Sequence, residues 1–136
     1  MFIWLYRLAF IPCFLVFFPL FLPKLIRRGS YFRHIRHRFG QYMHMPKKIC
    51  GRRRIWLQVV SVGEAQAAMP LIQSLLQRGD CDLCITTTTT TAFSILSKNL
   101  TGCEYVWIGF FPFDFLPFVK RAWRIVVPDV DLVVYG

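Results

Sequence analysis

The residue best placed to do chemistry is Glu64. It is the first carboxylate in the chain and closes the tetrapeptide Ser61-Val62-Gly63-Glu64, directly after an apolar run. An acid between a strand-like run and a helical one has two uses: it complements the helix macrodipole, or it accepts a proton from a bound hydroxyl. Gly63 beside it lets a ligand approach the backbone. A second cluster is the unbroken run Thr86 to Thr91, six hydroxyls at the end of another strand-like run. Such hydroxyls can bind phosphate, a sugar hydroxyl or a carboxylate, helped by the N-terminus of the following helix. They serve equally as β-formers (Thr86, Thr87) and as helix caps. A third stretch is Phe110-Phe111-Pro112-Phe113-Asp114, where Asp114 is expected to cap a helix and the aromatics to be core or membrane-facing. There is no GxGxxG, no P-loop and no Ser/His/Asp set, so a conventional dinucleotide or NTP enzyme finds no support.

Metal and redox chemistry are also unsupported. Cys81 and Cys84 have CxxC spacing, but on a strand positions i and i+3 face opposite ways, and no second pair completes a site. They read as small buried apolar residues, and the odd count of five cysteines suggests free thiols. His34, His37 and His44 have no neighbouring carboxylate, so no metal is expected.

The elements that must position these groups are read from periodicity. Ile55 to Val60 is a β-branched, aromatic run of strand length. Ala68, Leu71, Ile72, Leu75 and Leu76 then recur at helical spacing up to Gly79, with Pro70 in the early turns of that helix. Cys81 to Thr87 is a second strand. Phe93, Leu96 and Leu100 mark a second helix closed by Gly102, and Tyr105 to Ile108 a third strand. Phe115, Phe118, Val119, Ala122 and Val126 give the inner face of a third helix, ended by Pro128, and Asp131 to Tyr135 a fourth strand. Strands alternating with helices imply parallel βαβ crossovers, hence an α/β, Rossmann-like fold. In such sheets ligands bind beyond the carboxyl ends of the strands, where Glu64 and the threonines fall. Three helices on four strands leave one face thinly covered, and the last strand runs straight to Gly136, so residues 55–136 read as an incomplete domain.

Charge divides the chain. Phe2 to Leu22 is apolar but for Arg7, and as a helix would reach ~31 Å, the thickness of a bilayer's hydrocarbon. Eleven of the seventeen Lys and Arg follow between Lys24 and Arg54, without one acid. Such a run directly after an apolar helix stays on the cytoplasmic side. A membrane anchor over residues 1–23 is therefore expected rather than a cleaved signal peptide, for which there is no small-residue cleavage site. Residues 24–54 then form a basic juxtamembrane segment, with Arg27, Arg28, Arg33 and Arg36 facing anionic lipid headgroups or simply fixing topology. From Ile55 onward five basic and seven acidic residues leave a slightly acidic domain, which argues against nucleic acid as a partner.

The block Trp56-Leu57-Gln58-Val59-Val60-Ser61-Val62-Gly63-Glu64, followed by Ala67-Ala68-Met69-Pro70-Leu71-Ile72, resembles the signature of the 3-deoxy-D-manno-octulosonic acid (Kdo) transferases. The likeness continues in Ile85-Thr86-Thr87-Thr88-Thr89, in Phe111-Pro112-Phe113-Asp114 with Pro117, in Arg38-Phe39-Gly40-Gln41-Tyr42, and in the apolar leader. The chain departs from the family where Gln58 stands for a usual His and Thr90-Thr91-Ala92 for Pro-Thr-Gly.

The resemblance implies a two-domain GT-B glycosyltransferase of the inner membrane that needs no metal or other cofactor. Its N-terminal domain holds the lipid A precursor, and its C-terminal domain holds the donor CMP-Kdo. Glu64 takes the role of proton acceptor, with Ser61, Gly63, Thr87, Thr88 and Thr89 as candidate acceptor contacts. The chain then corresponds to the N-terminal part, inactive without a donor domain. The alternatives are a non-catalytic, membrane-tethered α/β interaction module, or another GT-B transferase acting on a lipid-linked sugar.

Overall fold

The computed structural model describes residues 34–135, together with Val16 and Pro19. The chain divides into the units Met1–Arg33 and His34–Gly136, and the second holds every strand of the sheet. Apart from Val16 and Pro19, the expected anchor over 1–23 lies outside the described residues, as do Arg27, Arg28 and Arg33, which were expected to face lipid. Among the described residues, no helix is long and apolar enough to cross a membrane.

The second unit runs α1 (Ile35–Arg38), β1 (Arg53–Val59), α2 (Val62–Arg78), β2 (Cys81–Thr87), α3 (Thr90–Asn99), β3 (Val106–Phe110), α4 (Leu116–Val126) and β4 (Val130–Val133). The four strands form one sheet in the order β3-β2-β1-β4, and every pairing is parallel. The expected Rossmann-like α/β architecture is thus observed. Strand alternation sorts the side chains onto two faces. Leu57, Val59, Leu83 and Ile85 pack with Ala65, Ala68 and Ile72 of α2 and with Ala92 and Leu96 of α3. Each fully buried large apolar side chain contributes roughly 1.5–3 kcal/mol, which holds both helices to the sheet.

The opposite face carries Trp56 and Cys84, covered by Ala122 and Val126 of α4 and by Tyr42, with Met45, Trp107 and Phe111 packed around them. This corrects the expectation of a thinly covered face: the segment before β1 supplies the missing layer. From His34 on, the basic stretch groups with the α/β unit. Arg54 shows why. Its side chain is 3% exposed and donates to the carbonyls of Val126 (3.2 Å) and Pro46 (3.0 Å). Asp82 lies 3.6 Å from it and also takes the Arg52 Nε at 2.8 Å. A buried cation must be paired and hydrogen-bonded, and these contacts satisfy it. Strand β1 accordingly starts at Arg53, two residues before the apolar run.

Three further boundaries differ from the sequence reading. Helix α2 begins at Val62, so Pro70 sits mid-helix rather than in the first turns, and the helix continues through it. The proline ring cannot donate to the Gln66 carbonyl, and both residues lie on the exposed side, where solvent tolerates the loss. Tyr105 stays out of β3 because its φ is +62°, a turn conformation in which its ring lies 3.9 Å from the Arg52 guanidinium. Asp114 does not cap α4. The tight turn that returns Phe115 N–H to the Phe113 carbonyl (2.6 Å) puts Phe115 at the cap position, without a side-chain bond. Phe115, expected to face inward, is 56% exposed.

Cys81 and Cys84 point to opposite faces of β2, as the alternation requires, and both are buried. Burial pushes both thiols above the usual cysteine range.

Candidate functional site at the carboxyl edge of the sheet

Strand β1 is flanked by β2 on one side and β4 on the other, and the chain order reverses there. That is the topological switch point, and the crevice beyond its carboxyl ends is where open α/β sheets bind ligands. The loop from β1 into α2 opens onto it, and Glu64 stands at the third helical position.

The first turn of α2 is a reciprocal cap. Ser61 Oγ accepts from Glu64 N–H at 3.2 Å, and Glu64 Oε2 accepts from Val60 N–H at 2.6 Å. This closely follows a capping box, with the acid reaching one residue further back than usual. Glu64 is half-buried, and its Oε1 has no hydrogen bond among the described residues. Gly63 is exposed, and a Cβ there would meet nothing closer than Ser61 Oγ at 3.9 Å, so the approach to the helix start is open.

The threonine run is split by strand geometry. Thr86 and Thr87 are fully buried. Thr86 Oγ1 accepts from Trp56 Nε1 at 2.8 Å, and Thr87 Oγ1 has no partner among the described residues. Thr87 is thereby withdrawn from the edge, because the pleat turns its side chain under the helices. Thr88 turns outward and donates its hydroxyl to the Val60 carbonyl at 2.9 Å, tying the first loop to the second. Thr89 caps α3, accepting from Ala92 N–H at 3.3 Å. Of the candidate contacts, Ser61, Gly63, Glu64, Thr88 and Thr89 are brought together on this edge. The starts of α2 and α3 also lie here, on adjacent strands, and give it a positive backbone field.

Sequence reasoning missed what lies beneath. Arg38, 8% exposed, donates Nη2 to the Thr88 carbonyl and Nη1 to the Phe111 carbonyl (3.4 Å), with the Phe110 ring 4.8 Å from its guanidinium. Its own carbonyl accepts from Phe113 N–H at 2.8 Å. Tyr42 donates its hydroxyl to the Phe110 carbonyl at 3.1 Å, and burial pushes that hydroxyl far above the ordinary tyrosine range, so it remains a donor. His37 Nδ1 faces Phe110 N–H at 3.4 Å. Desolvation, helped by the neighbouring His34, lowers His37 to about 4, which keeps it neutral at pH 7. The signal that could have found this layer is Gly40. A Cβ there would fall 2.3 Å from the Phe118 carbonyl oxygen, marking a close backbone approach. Arg36, by contrast, is exposed and donates Nη1 to Met43 Sδ at 3.0 Å.

A cavity of about 190 Å³ lined by Met45, Ile49, Arg54, Asp82, Tyr105 and Trp107, among others, opens at the opposite, amino-terminal edge and is not part of this site. Among the described residues, no group of three His, Cys, Asp or Glu is placed to hold a metal ion.

Fold and edge together define a Rossmann-like α/β domain of the ligand-binding kind, with an acid, hydroxyls and two helix starts at its switch point. A family model described as 3-deoxy-D-manno-octulosonic-acid transferase (kdotransferase) matches residues 33–135, and the chain belongs to that family. The match begins at Arg33, so it takes in the layer that carries Arg38 and Tyr42. Membership makes this a glycosyltransferase domain of Kdo transfer, the chemistry of lipopolysaccharide synthesis. No curated protein and no solved structure matches the chain.

Proposed function

We propose that this domain is the acceptor-binding half of a GT-B glycosyltransferase that moves Kdo from CMP-Kdo to the lipid A precursor, with Glu64 as the general base. The observation that carries the reading is the placement of Glu64. Its carboxylate is fixed at one oxygen by Val60 N–H (2.6 Å), and Oε1 has no bond among the described residues, at the crevice where such folds bind ligands. In the reaction, Oε1 takes the proton of an acceptor hydroxyl while that oxygen forms the bond to the Kdo anomeric carbon. The bond from that carbon to CMP breaks, and CMP leaves with its electron pair. A donor domain facing the edge supplies CMP-Kdo. The exposed Gly63, the Thr89 cap and the starts of α2 and α3 suit an acceptor bearing hydroxyls and phosphate.

The same reading places the domain at the cytoplasmic face of the inner membrane. Its support is the apolar run Phe2 to Leu22 with the basic stretch behind it. Helix α4 adds to this, exposing Leu116 and Trp123, with Val127 at its C-terminal cap, beside Lys120 and Arg124, a composition suited to an anionic lipid surface.

The test is a transfer assay on the chain joined to a Kdo transferase donor domain, with CMP-Kdo and a lipid A precursor. Glu64→Gln is expected to lower turnover by at least ~10²-fold, the low end of general-base contributions. Unchanged turnover would remove Glu64 from the chemistry.

A further inference from the structure

A continuous set of hydrogen bonds runs from the segment before β1 to Glu64. The buried Arg38 guanidinium holds the Thr88 and Phe111 carbonyls, so it joins the loops that follow β2 and β3. The Thr88 hydroxyl holds the Val60 carbonyl at 2.9 Å, joining the loop after β2 to the loop after β1. The N–H of the same residue, Val60, holds Glu64 Oε2 at 2.6 Å. Each end of Val60 is therefore fixed by a different side chain, one from the edge and one from the helix.

From this geometry we propose that Arg38 is a positioning residue for the carboxylate of Glu64, acting through Thr88 and the backbone of Val60. The inference rests on the reading of Glu64 as the base and adds the residues that aim it. Arginine suits the task because its planar fork can serve two carbonyls from one buried cation. Its surroundings hold it in turn: the Phe110 ring at 4.8 Å, the Phe113 ring at 5.9 Å, and the bond from Phe113 N–H to its carbonyl. Without the clamp, the carbonyl of Val60, a residue just past the end of β1 and 50% exposed, loses the side-chain bond that orients it. A displacement of about 1 Å in a catalytic group can cost on the order of 10²-fold in rate.

Two measurements separate this role from a merely structural one. In the 136-residue chain, amide hydrogen exchange reads the Val60 N–H directly. Arg38→Met and Thr88→Val are each expected to lower its protection at least ~10-fold while strand amides such as Leu57 stay protected, and Thr88→Ser, which keeps the hydroxyl, retains it. In the transfer assay, Thr88→Val and Arg38→Met lower turnover at least ~10-fold with Glu64 present, and by less than ~2-fold in a Glu64→Gln background, the non-additivity expected of residues that act as one unit. Thr88→Val serves alone should Arg38→Met fail to fold. Intact Val60 protection in Thr88→Val, or an equal loss of turnover with and without Glu64, overturns the proposal. An unaltered Glu64→Gln enzyme instead overturns the base assignment, and the exchange result then stands independently of it.

Discussion

Gly40 is the point at which the layer beneath the site can be tested without touching the site. Its φ is +70°, and an added Cβ would lie 2.3 Å from the Phe118 carbonyl oxygen, 3.1 Å from its carbon and 3.2 Å from Ala122 N. Those neighbours are the backbone of α4, which cannot swing aside as a side chain tip does. Gly40→Ala therefore carries two costs. The left-handed backbone disfavours a Cβ by about 1–2 kcal/mol. The contact requires about 1 Å of separation between residue 40 and α4, comparable to overpacking a core at roughly 1–3 kcal/mol. Reduced freedom of the unfolded chain returns about 0.4–1 kcal/mol. The net loss is about 1–4.5 kcal/mol, centred near 3. Gly51 is the control: its φ is +84°, and nothing lies within 4 Å of the added atom. Gly51→Ala carries the backbone cost alone, about 1 kcal/mol. Urea unfolding followed by fluorescence of Trp56, Trp107 and Trp123 gives both values. For a domain of this size each kcal/mol also moves the melting temperature by about 4–8 °C. Equal losses at the two glycines would refute the close approach of the Gly40 turn to α4, and with it the account of how Arg38 and Tyr42 are held.

Other consequences are open to direct measurement. Ser61→Ala removes the side-chain bond to Glu64 N–H and is expected to destabilise by about 1 kcal/mol in chemical unfolding, the usual loss for an N-cap; Ser61→Asp should retain that stability. His37 titrates near 4 in the fold and near 6.5 unfolded, so the unfolded chain binds the proton first as pH falls. Stability from this residue is complete above about pH 7 and declines as pH drops through 6.5 towards 4. Melting temperatures across that window should flatten in His37→Gln. Exposed Cys50 and Cys103 should react with a thiol reagent in the native protein, and buried Cys81 and Cys84 only on unfolding, as peptide mapping would resolve.

The range of each interaction decides whether the sequence disclosed it. The strands and helices from Ile55 onward were legible because period-2 and period-3.6 apolar patterns are local, and the βαβ order then leaves little choice of sheet. Glu64 was legible for the same reason, since its cap partners Val60 and Ser61 lie four and three residues away. The support of the site was not. Arg38 reaches Thr88 and Phe111 across 50 and 73 residues, and Arg54 reaches Val126 across 72. No local pattern distinguishes an arginine paired with distant carbonyls from one at a lipid headgroup or in solvent, so the internal pairing of Arg38 and Arg54 was not legible in the acid-free basic run. Helix α1, four residues long, is too short to show periodicity at all. The threonine run divides on a single strand position: Thr87 is the last residue of β2 and points inward, whereas Thr88 has left the strand. A one-residue error in that boundary exchanges a buried hydroxyl for a bridging one. In this domain the residue proposed to do the chemistry is thus set by its neighbours in sequence, and its aim by residues far from it. On the proposed reading, substitutions that leave the Ser-Val-Gly-Glu block intact are therefore expected to lower turnover through Arg38, Gly40 or Thr88.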